Sequence, residues 1–377
     1  MNLTVSAQRQ ARRREARAWL REHVPMQPLP SMDTEAGAAL HRAWERTLAG
    51  SGWSVVRWPQ RYGGRDYDLV DWLLFEEEYH AAGAPARINH NGLTLLGSTL
   101  LEHGTEEQRA RVLPAMVAGD VVWAQAWSEP GAGSDLAGVA CRADPVPGGF
   151  ALHGQKIWSS RAVVADRGFG LFRSGPPGRG HRGLTYLMFT LDSPDVTVRP
   201  IRRIDGEPVF AEIFFDGLFV PESDVIGEPG HGWRIAMSAA GHERGVSLRS
   251  PGRFLAVADQ LVALWRRLDE PRRLSHRYAV QTAWSMAQAY RLHGYASAAG
   301  TEPAYSASMT KPYWSELDLL LHETAMAILD DLPGATEPDR ETWRQGLLFA
   351  LAGPIYAGTN EIQRTIVAER LLGLPRG

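Results

Sequence analysis

The sequence is poor in cysteine, and it lacks both long apolar runs and a strong net charge. Its 377 residues include a single cysteine, Cys141, so neither an internal disulfide nor a metal site built only of cysteines can form. We interpret Cys141 as a small buried hydrophobe. No apolar run reaches the roughly 18 residues that a membrane-spanning helix needs, so no membrane insertion is predicted. The formal net charge of -3 favours neither nucleic acid nor an anionic membrane surface. We therefore expect a cytoplasmic protein without a nucleic-acid partner.

The sequence is also poor in lysine. Of its 40 lysine and arginine residues, only Lys156 and Lys311 are lysine, which we interpret as genome base composition rather than chemistry. Arginines cluster near the N-terminus, where Glu15 and Glu22 interleave with them. This pattern favours a solvated helix face over a transit peptide or a basic arm. The clustered arginines are Arg9, Arg12, Arg13, Arg14, Arg17 and Arg21.

Hydrophobic periodicity divides the chain into three regions. Residues 1–120 have helical spacing, and Thr105 with Gln108 forms a predicted capping box. Residues 121–226 hold short alternating or aromatic runs between proline and glycine clusters, which is typical of a small β domain. Residues 227–377 return to helical spacing and predict a bundle of the four-helix type. One predicted bundle face consists of Val280, Ala283, Trp284 and Ala287. The sequence thus predicts an α+β fold with helical, β and helical domains in that order.

Three motifs stand out against this background. Residues 127–135 (WSEPGAGSD) form a tight turn whose glycines let a ligand approach the backbone closely. Residues 154–160 (GQKIWSS) end a strand with an indole and two hydroxyls, and residues 356–364 (YAGTNEIQR) lie near the C-terminus. Together the motifs resemble the flavin-contacting and closing segments of the acyl-CoA dehydrogenase family. The resemblance extends over nearly the whole chain and implies that family's fold.

The resemblance also implies an FAD site. In the family, the residue at the position of Ser128 donates to the pyrimidine edge of the flavin, and those at Trp158 and Ser160 lie over one ring face and near N5. Donors at the ring edge stabilise the negative charge that develops when a flavin accepts a hydride. The implied cofactor-binding residues are Gln125, Trp127, Ser128, Trp158, Ser160, Thr359 and Glu361. The implied substrate-binding residues are Ser134, beside the thioester and its pantetheine arm, and Arg244. No spacing of histidine, cysteine and acidic residues predicts a metal site.

The family's catalytic glutamate is missing from its usual position. Dehydrogenation of an acyl thioester removes an α-proton, and a desolvated carboxylate is well suited to accept it. In the closing motif that position is Ala357, which cannot accept a proton, although its backbone amide can still polarise the thioester carbonyl. Some family members keep the base on the helix after the β domain, directly before an arginine. Glu243, followed by Arg244, matches that position, so we predict that Glu243 is the base. An ordinary ion pair of Glu243 is the alternative.

The predicted function is that of an FAD-dependent dehydrogenase for an acyl-CoA or an acyl-carrier-protein thioester, with branched or bulky acyl groups. An electron-transfer flavoprotein or a similar acceptor would reoxidise the flavin. The family's two segments for the outer half of FAD, Arg-x-x-Phe-Gly and Gln-x-x-Gly-Gly-x-Gly, are absent, so a partner subunit in a homo- or hetero-oligomer is expected to complete the site. Two alternatives stay open. One is a flavin monooxygenase on the same fold, and the other is a non-catalytic partner subunit.

Overall fold

The computed structural model of this protein describes residues 5–175, 180–244, 246, 249–300 and 306–375, and the side chains of residues 241–244 and 306 lie outside that description. Its helices are α1 (Ala7–His23), α2 (Glu35–Gly50), α3 (Leu69–Ala81), α4 (Gly97–His103), α5 (Glu106–Val117), α6 (Gly232–Arg244), α7 (Pro251–Trp265), α8 (Glu270–Ala298), α9 (Ser306–Asp331), α10 (Glu337–Ala350) and α11 (Asn360–Ile366). Its strands are β1 (Trp123–Ala126), β2 (Arg142–Val146), β3 (Gly149–Ser160), β4 (Arg167–Arg173), β5 (Leu184–Thr190), β6 (Val196–Ile201), β7 (Phe210–Pro221) and β8 (Val225–Ile226). Helices precede and follow a β region, which confirms the predicted α+β fold.

The strands form one mixed sheet with the order β6-β7-β3-β2-β4-β5-β8, and β1 pairs with β4 in parallel. Strands β3 and β7 are antiparallel, and their register shifts between Lys156 and Ser159. Such a bulge bends a strand and redirects the side chains beside it. The second predicted motif, residues 154–160, therefore lies at an irregularity of the sheet rather than in a regular ladder.

Three phenylalanines pack together in the core of the sheet. Phe172 in β4, Phe189 in β5 and Phe215 in β7 pack edge to face with ring centroids 5.1 to 5.7 Å apart. All three are buried, and burying such a side chain stabilises a fold by about 1.5–3 kcal/mol. Strands β4, β5 and β7 thus share a well-packed core.

The chain divides into two compact units, which are described separately. The first consists of residues 1–24, 67–84 and 244–377 and contains α1, α3 and α7 to α11. The second consists of residues 25–66 and 85–243 and contains α2, α4, α5, all the strands and nearly all of α6. The domain boundaries proposed at residues 120 and 226 remain a prediction.

In the first unit, the N-terminal arginines lie on helix α1, as predicted. Arg14 and Arg21 are exposed to solvent, whereas other arginines of this helix bind acidic residues of α3. Arg13 Nε and Arg17 Nε each lie 2.6 Å from the Glu78 carboxylate, which is buried. Arg12 pairs with Asp71 in the same way. Helical periodicity predicted that a helix forms here, but it carries no information on which distant acids will face its charged side.

Helix α8 of the first unit buries Val280, Ala283 and Ala287, whereas Trp284 is 43% exposed. The prediction that Trp284 shares the buried face is wrong. At about 100° per residue, position 284 lies about 40° beyond position 280, on the side away from position 283. It therefore falls at the edge of the buried stripe.

Helix α7 approaches α3 closely at its first turn. A Cβ on Gly252 would lie 2.5 Å from the Glu76 carbonyl oxygen, a distance that no side chain tolerates. Ser250 caps this end of α7 by accepting a hydrogen bond from the Gly252 amide, 3.1 Å away. A glycine is thus required where the two helices meet.

In the second unit, α5 begins with the predicted capping box. Thr105 Oγ1 accepts from the Gln108 amide and Gln108 Oε1 accepts from the Thr105 amide, both at 3.1 Å. Gln108 Nε2 also donates to the Val225 carbonyl, 2.6 Å away, and so joins α5 to β8. Among the helices that the structure describes, none combines the length and the apolar content needed to cross a bilayer.

Candidate functional site

Backbone strain concentrates at the predicted motifs. In the described part of the chain, four residues other than glycine have a positive φ: Asp66, Trp158, Arg161 and Ala357. Trp158 and Ala357 lie within motifs, and Arg161 directly follows one. A left-handed backbone costs an ordinary residue about 1–2 kcal/mol, and such strain persists mostly where function requires it. The strain thus points to the same segments as the motifs do.

Trp158 presents its indole at the β3 bulge. Its φ is 60°, and the side chain is 57% exposed although it is large and apolar. Its ring meets Phe210 of β7 edge to face, with centroids 6.0 Å apart. The bulge and the left-handed backbone together turn the indole out of the sheet. An exposed aromatic plane in this position fits a flat ring such as the isoalloxazine of a flavin.

The first motif forms a tight turn after β1. The amides and carbonyls of Glu129 and Ala132 exchange two hydrogen bonds of 3.0 Å. A Cβ on Gly131 or Gly133 would meet nothing within 4 Å, and Ser134 is exposed, so the turn borders open space. Its backbone is therefore accessible to a ligand.

The indole of Trp127 lies inside the protein. Trp127 is 9% exposed, and its Nε1 donates to the Tyr186 hydroxyl, 3.2 Å away. Gln125 in β1 and Ser128 after it are half-buried. A ligand can therefore reach Ser128, but it does not stack on the Trp127 ring.

The two motifs of the β region are joined by their backbones and by a buried ion pair. The Ile157 amide donates to the Ser128 carbonyl, 2.9 Å away. Lys156 Nζ donates to Glu129 Oε1 at 2.8 Å, and the lysine is completely buried. Sequence reasoning missed both members of this pair, because it assigned the scarcity of lysine to genome composition. The signal was that one of two lysines in an arginine-rich chain lies inside a motif.

The strand end beside Trp158 offers further polar groups. Ser160 is half-buried, and the Ser159 hydroxyl is buried with no hydrogen-bond partner among the described residues. A buried hydroxyl without a partner is uncommon in proteins. The exposed indole, the open turn and these hydroxyls fit a planar, polar ring.

Cys141 lies beside the first motif and is inert. It is 3% exposed, and its thiol donates to the His153 carbonyl at 3.3 Å. Burial raises the pKa of this thiol to about 12, so the thiol stays protonated at neutral pH. The interpretation of Cys141 as a small buried hydrophobe is confirmed.

In the first unit, the closing motif is held by the second lysine. Lys311 Nζ donates to Asn360 Oδ1, 2.9 Å away, and both residues are buried. The Asn360 amide donates to the Pro354 carbonyl at 2.9 Å, and Gln363 Nε2 donates to the Ala357 carbonyl at 3.1 Å. The loop that contains Ala357 is therefore fixed from both sides.

Ala357 itself is half-buried and has a φ of 57°. Its carbonyl is occupied by Gln363, but its amide donates to no acceptor among the described residues. Arg249 binds the hydroxyl of the preceding Tyr356 through Nε and Nη2, at 3.0 and 2.7 Å. The amide is thus a free donor on a rigid loop.

Thr359 and Glu361 have local roles in this structure. Thr359 is the N-cap of α11 and accepts from the Ile362 amide at 3.2 Å. Glu361 is exposed and lies 3.9 Å from Arg364. Their roles at the adenosine half of a cofactor stay predictions.

The predicted base and its neighbour belong to α6 by their backbones, but the side chains of Glu243 and Arg244 lie outside the described residues. The start of α6 is fixed tightly. A Cβ on Gly232 would lie 2.6 Å from the Tyr186 amide nitrogen of β5. The helix that contains Glu243 is therefore anchored directly to the sheet.

A cleft of about 620 Å³ opens beside the start of α6. His181 and Trp233 line it and stack at 4.2 Å with their planes 13° apart. Arg182 and Arg234 also line it, and both are exposed. A flat ring system with positive charge nearby suits a phosphorylated aromatic ligand. In the described part of the chain, no group of three or more histidine, cysteine or acidic side chains is placed to hold a metal ion.

Comparisons with known proteins agree with this geometry. Three family profiles match consecutive parts of the chain: the acyl-CoA dehydrogenase N-terminal domain at residues 6–120, the middle domain at 124–218 and the C-terminal domain at 230–372. The acyl-CoA dehydrogenase IpdE1 of Mycobacterium tuberculosis is 40% identical over 345 residues, which cover 89% of this chain and 88% of that protein.

Two solved structures extend the likeness to three dimensions. The Tcur3481-Tcur3483 steroid ACAD has a TM-score of 0.85 at 28% identity, with both chains covered completely. The ChsE4-ChsE5 complex from Mycobacterium tuberculosis has a TM-score of 0.87 at 25% identity, again with complete coverage of both chains.

Proposed function

The chain belongs to the acyl-CoA dehydrogenase family of FAD-dependent oxidoreductases, and we propose that it introduces an α,β-double bond into a bulky acyl-CoA thioester. The observation that carries this proposal is the strained, exposed Trp158 beside the open turn of the first motif. Trp127, Ser128, Trp158 and Ser160 would hold the isoalloxazine ring, with Gln125 behind them. When bound, FAD supplies the acceptor for the β-hydride.

The chain's own residues would handle the proton and the carbonyl. Glu243 would accept the α-proton, because the usual position of the base is taken by Ala357. The Ala357 amide would donate to the thioester carbonyl and stabilise the negative charge that develops there. Support for this role comes from its free N–H and from the fixed loop around it. Ser134 would lie beside the thioester, and Thr359 and Glu361 beside the outer half of FAD.

The cleft next to α6 is our candidate for the nucleotide end of the substrate. The stacked His181 and Trp233 would contact the adenine, and Arg182 and Arg234 would neutralise phosphates. Arg244, at the C-terminal end of α6, would be a separate contact to the substrate. This arrangement favours free acyl-CoA over a thioester on a carrier protein, which would offer no adenine.

We propose a bulky acyl group of the steroid type. Alanine at position 357 leaves more room than the glutamate usual in the family, and one similar protein is described as a steroid ACAD. A polycyclic acyl-CoA should therefore give a higher kcat/KM than butyryl-CoA or octanoyl-CoA in a steady-state panel. Straight chains of four to eight carbons as the best substrates would contradict this assignment.

We also propose that the chain works with a second, related subunit, and that an electron-transfer flavoprotein or a similar acceptor reoxidises it. The family's two outer FAD segments are missing from the sequence, and one similar structure is described as a complex of two different chains. Co-expression with a paralogous chain should raise the FAD content of the purified protein. An equal FAD content with and without such a chain would contradict the need for it.

Anaerobic flavin bleaching tests the reaction and the base together. An acyl-CoA should bleach the visible flavin band of the wild type without NAD(P)H or a reductase, and Glu243→Gln should bind FAD but not bleach. Glu222→Gln, at an exposed glutamate, is the matched control and should behave as the wild type. Bleaching only with NAD(P)H would instead indicate a monooxygenase. A chain that stays colourless with FAD and with its partner would indicate a non-catalytic subunit.

A further inference from the structure

The buried side chain of Lys156 occupies a special place in the second unit. It is one of only two lysines among 40 lysine and arginine residues, and it is completely buried. Burying a charge is costly unless hydrogen bonds and an opposite charge compensate it. The position therefore demands a reason that an ordinary core residue would not need.

The ammonium group has three hydrogen-bond donors and three acceptors around it. Lys156 Nζ lies 2.8 Å from Glu129 Oε1, 2.7 Å from the Leu171 carbonyl and 3.2 Å from the Trp127 carbonyl. The ring of Phe172 covers it at 4.8 Å. A compact point charge fits such a pocket, whereas the planar five-donor fork of arginine does not. The chain's preference for arginine is broken here because the geometry requires lysine.

Both oxygens of the partner carboxylate also accept hydrogen bonds. Glu129 Oε2 accepts from the Ala140 amide at 2.6 Å, and Oε1 accepts from the Cys141 amide at 2.9 Å in addition to Lys156. Glu129 is 9% exposed. Neither member of the pair therefore depends on solvent, and their charges cancel locally.

These contacts join the segments that would border the flavin. Trp127 and Glu129 belong to the first motif, and Lys156 lies two residues before Trp158 in the second. One ammonium group thus fixes the main-chain carbonyl at Trp127 and the strand that leads to Trp158 at the same time. A displacement of this ammonium group would therefore move both segments that are proposed to border the flavin ring.

We propose that Lys156 is a positioning residue for the flavin ring, which orients the Trp127 main chain and, with Glu129, keeps the electrostatic potential at the ring balanced. This inference rests on the proposed function, because it takes the ring to lie against these two motifs. A purely structural tie is the competing explanation. The two differ in what happens to the flavin when one charge is removed.

Removing the lysine charge and removing the glutamate charge should shift the reduction potential of the flavin in opposite directions. Lys156→Met leaves the Glu129 carboxylate uncompensated and should disfavour the electron-rich reduced flavin. Glu129→Gln leaves the ammonium uncompensated and should favour it. Each change is expected to alter the two-electron reduction equilibrium by about tenfold, which corresponds to ~30 mV. A purely structural tie would also weaken FAD binding, but it would shift both potentials in one direction or not at all.

The experiment uses the full chain with its partner subunit where one is needed, loaded with FAD. The midpoint potential is measured by anaerobic reduction against a reference dye, and FAD affinity by the quenching of flavin fluorescence. Arg142→Met and Asp144→Asn form the matched control, because this pair on β2 is largely exposed, at 58% and 46% of the side chains. The control variants should leave the potential and the affinity unchanged. Shifts of equal sign in Lys156→Met and Glu129→Gln, or no shift, would overturn the proposal.

The double variant Lys156→Met with Glu129→Gln keeps the test valid if a single variant does not fold. It removes both charges and retains one side-chain oxygen as an acceptor where the Ala140 and Cys141 amides donate to two. The potential should return to the wild-type value, whereas FAD affinity should stay about tenfold weaker because the Trp127 carbonyl has lost its charged donor. Wild-type affinity in the double variant would overturn the positioning role. If the wild type itself binds no FAD, the proposed function fails, so the two failures are distinguishable.

Discussion

The strained backbone at Trp158 predicts an unusual order of stability for its alanine and glycine variants. At most surface positions, replacing a residue by alanine costs less stability than replacing it by glycine, because glycine loses more conformational freedom on folding. At position 158, where φ is 60°, alanine keeps the Cβ that makes a left-handed backbone unfavourable, and glycine removes it. We therefore expect Trp158→Gly to be more stable than Trp158→Ala.

The magnitude follows from two opposing effects. Relief of the left-handed strain contributes about 1–2 kcal/mol, and the extra entropy of glycine in the unfolded chain costs about 0.5–1 kcal/mol. The glycine variant should thus exceed the alanine variant by about 0.5–1 kcal/mol in free energy of unfolding. Both variants lose the contact with Phe210, so that contact cancels in the comparison.

Urea unfolding of the FAD-free protein, followed by circular dichroism, measures this difference. A matched pair at an ordinary position, Val163→Ala and Val163→Gly, should show the usual order with alanine more stable; Val163 is 41% exposed. An alanine variant that equals or exceeds the glycine variant at position 158 would refute the reasoning. Both variants should also bind FAD at least about fivefold more weakly, since stacking of a flat base on an aromatic ring contributes about 1–3 kcal/mol.

Three further predictions concern the buried polar groups. Burial alone would raise the pKa of Asp318, but Arg253 at 2.9 Å outweighs it, and the pKa falls to about 2. The carboxylate therefore stabilises the fold by roughly 2 kcal/mol at pH values above the unfolded pKa of about 4, and it loses this effect between pH 4 and 2. The difference in free energy of unfolding between the wild type and Asp318→Asn should stay constant from pH 8 to 5 and narrow only below pH 4. A difference that already narrows at pH 6 would contradict the direction of the pKa shift. Lys311→Met removes the charged donor to Asn360 and should lower the free energy of unfolding by about 2 kcal/mol in urea titrations, and an unchanged midpoint would contradict a role for this bond. Cys141, with a pKa of about 12, should not react with a disulfide reagent at pH 8 until the protein unfolds, so labelling of the native protein within minutes would contradict its burial.

Local signals in the sequence predicted local structure well. The capping box of Thr105 and Gln108 was readable because both partners lie within one helical turn. Short strands within residues 121–226, such as β5, were predictable because their alternating or aromatic runs lie between proline and glycine clusters. Such features depend only on neighbours in the sequence.

Features that depend on distant partners were not predictable. Arg13 and Glu78 are 65 residues apart, and nothing in their local patterns indicates that they will meet. The burial of Lys156 depends equally on acceptors that are distant in the sequence, at Trp127 directly after β1 and at Leu171 in β4. For the candidate site, the motifs predicted which segments matter, but not the ion pair that holds two of them together.

The discontinuous first unit has a consequence for the newly made protein. Helices α1 and α3 leave the ribosome long before α7, whose first turn packs against α3 at Gly252. The second unit, residues 25–66 and 85–243, has emerged completely by then and can fold first. Until residues 244–377 follow, the apolar side chains of Leu69 and Trp72, which pack against the core of the bundle, have no bundle to cover them. Premature termination after α6 would thus yield a folded sheet attached to two helices with exposed apolar side chains. Such a product is prone to aggregation and to binding by chaperones.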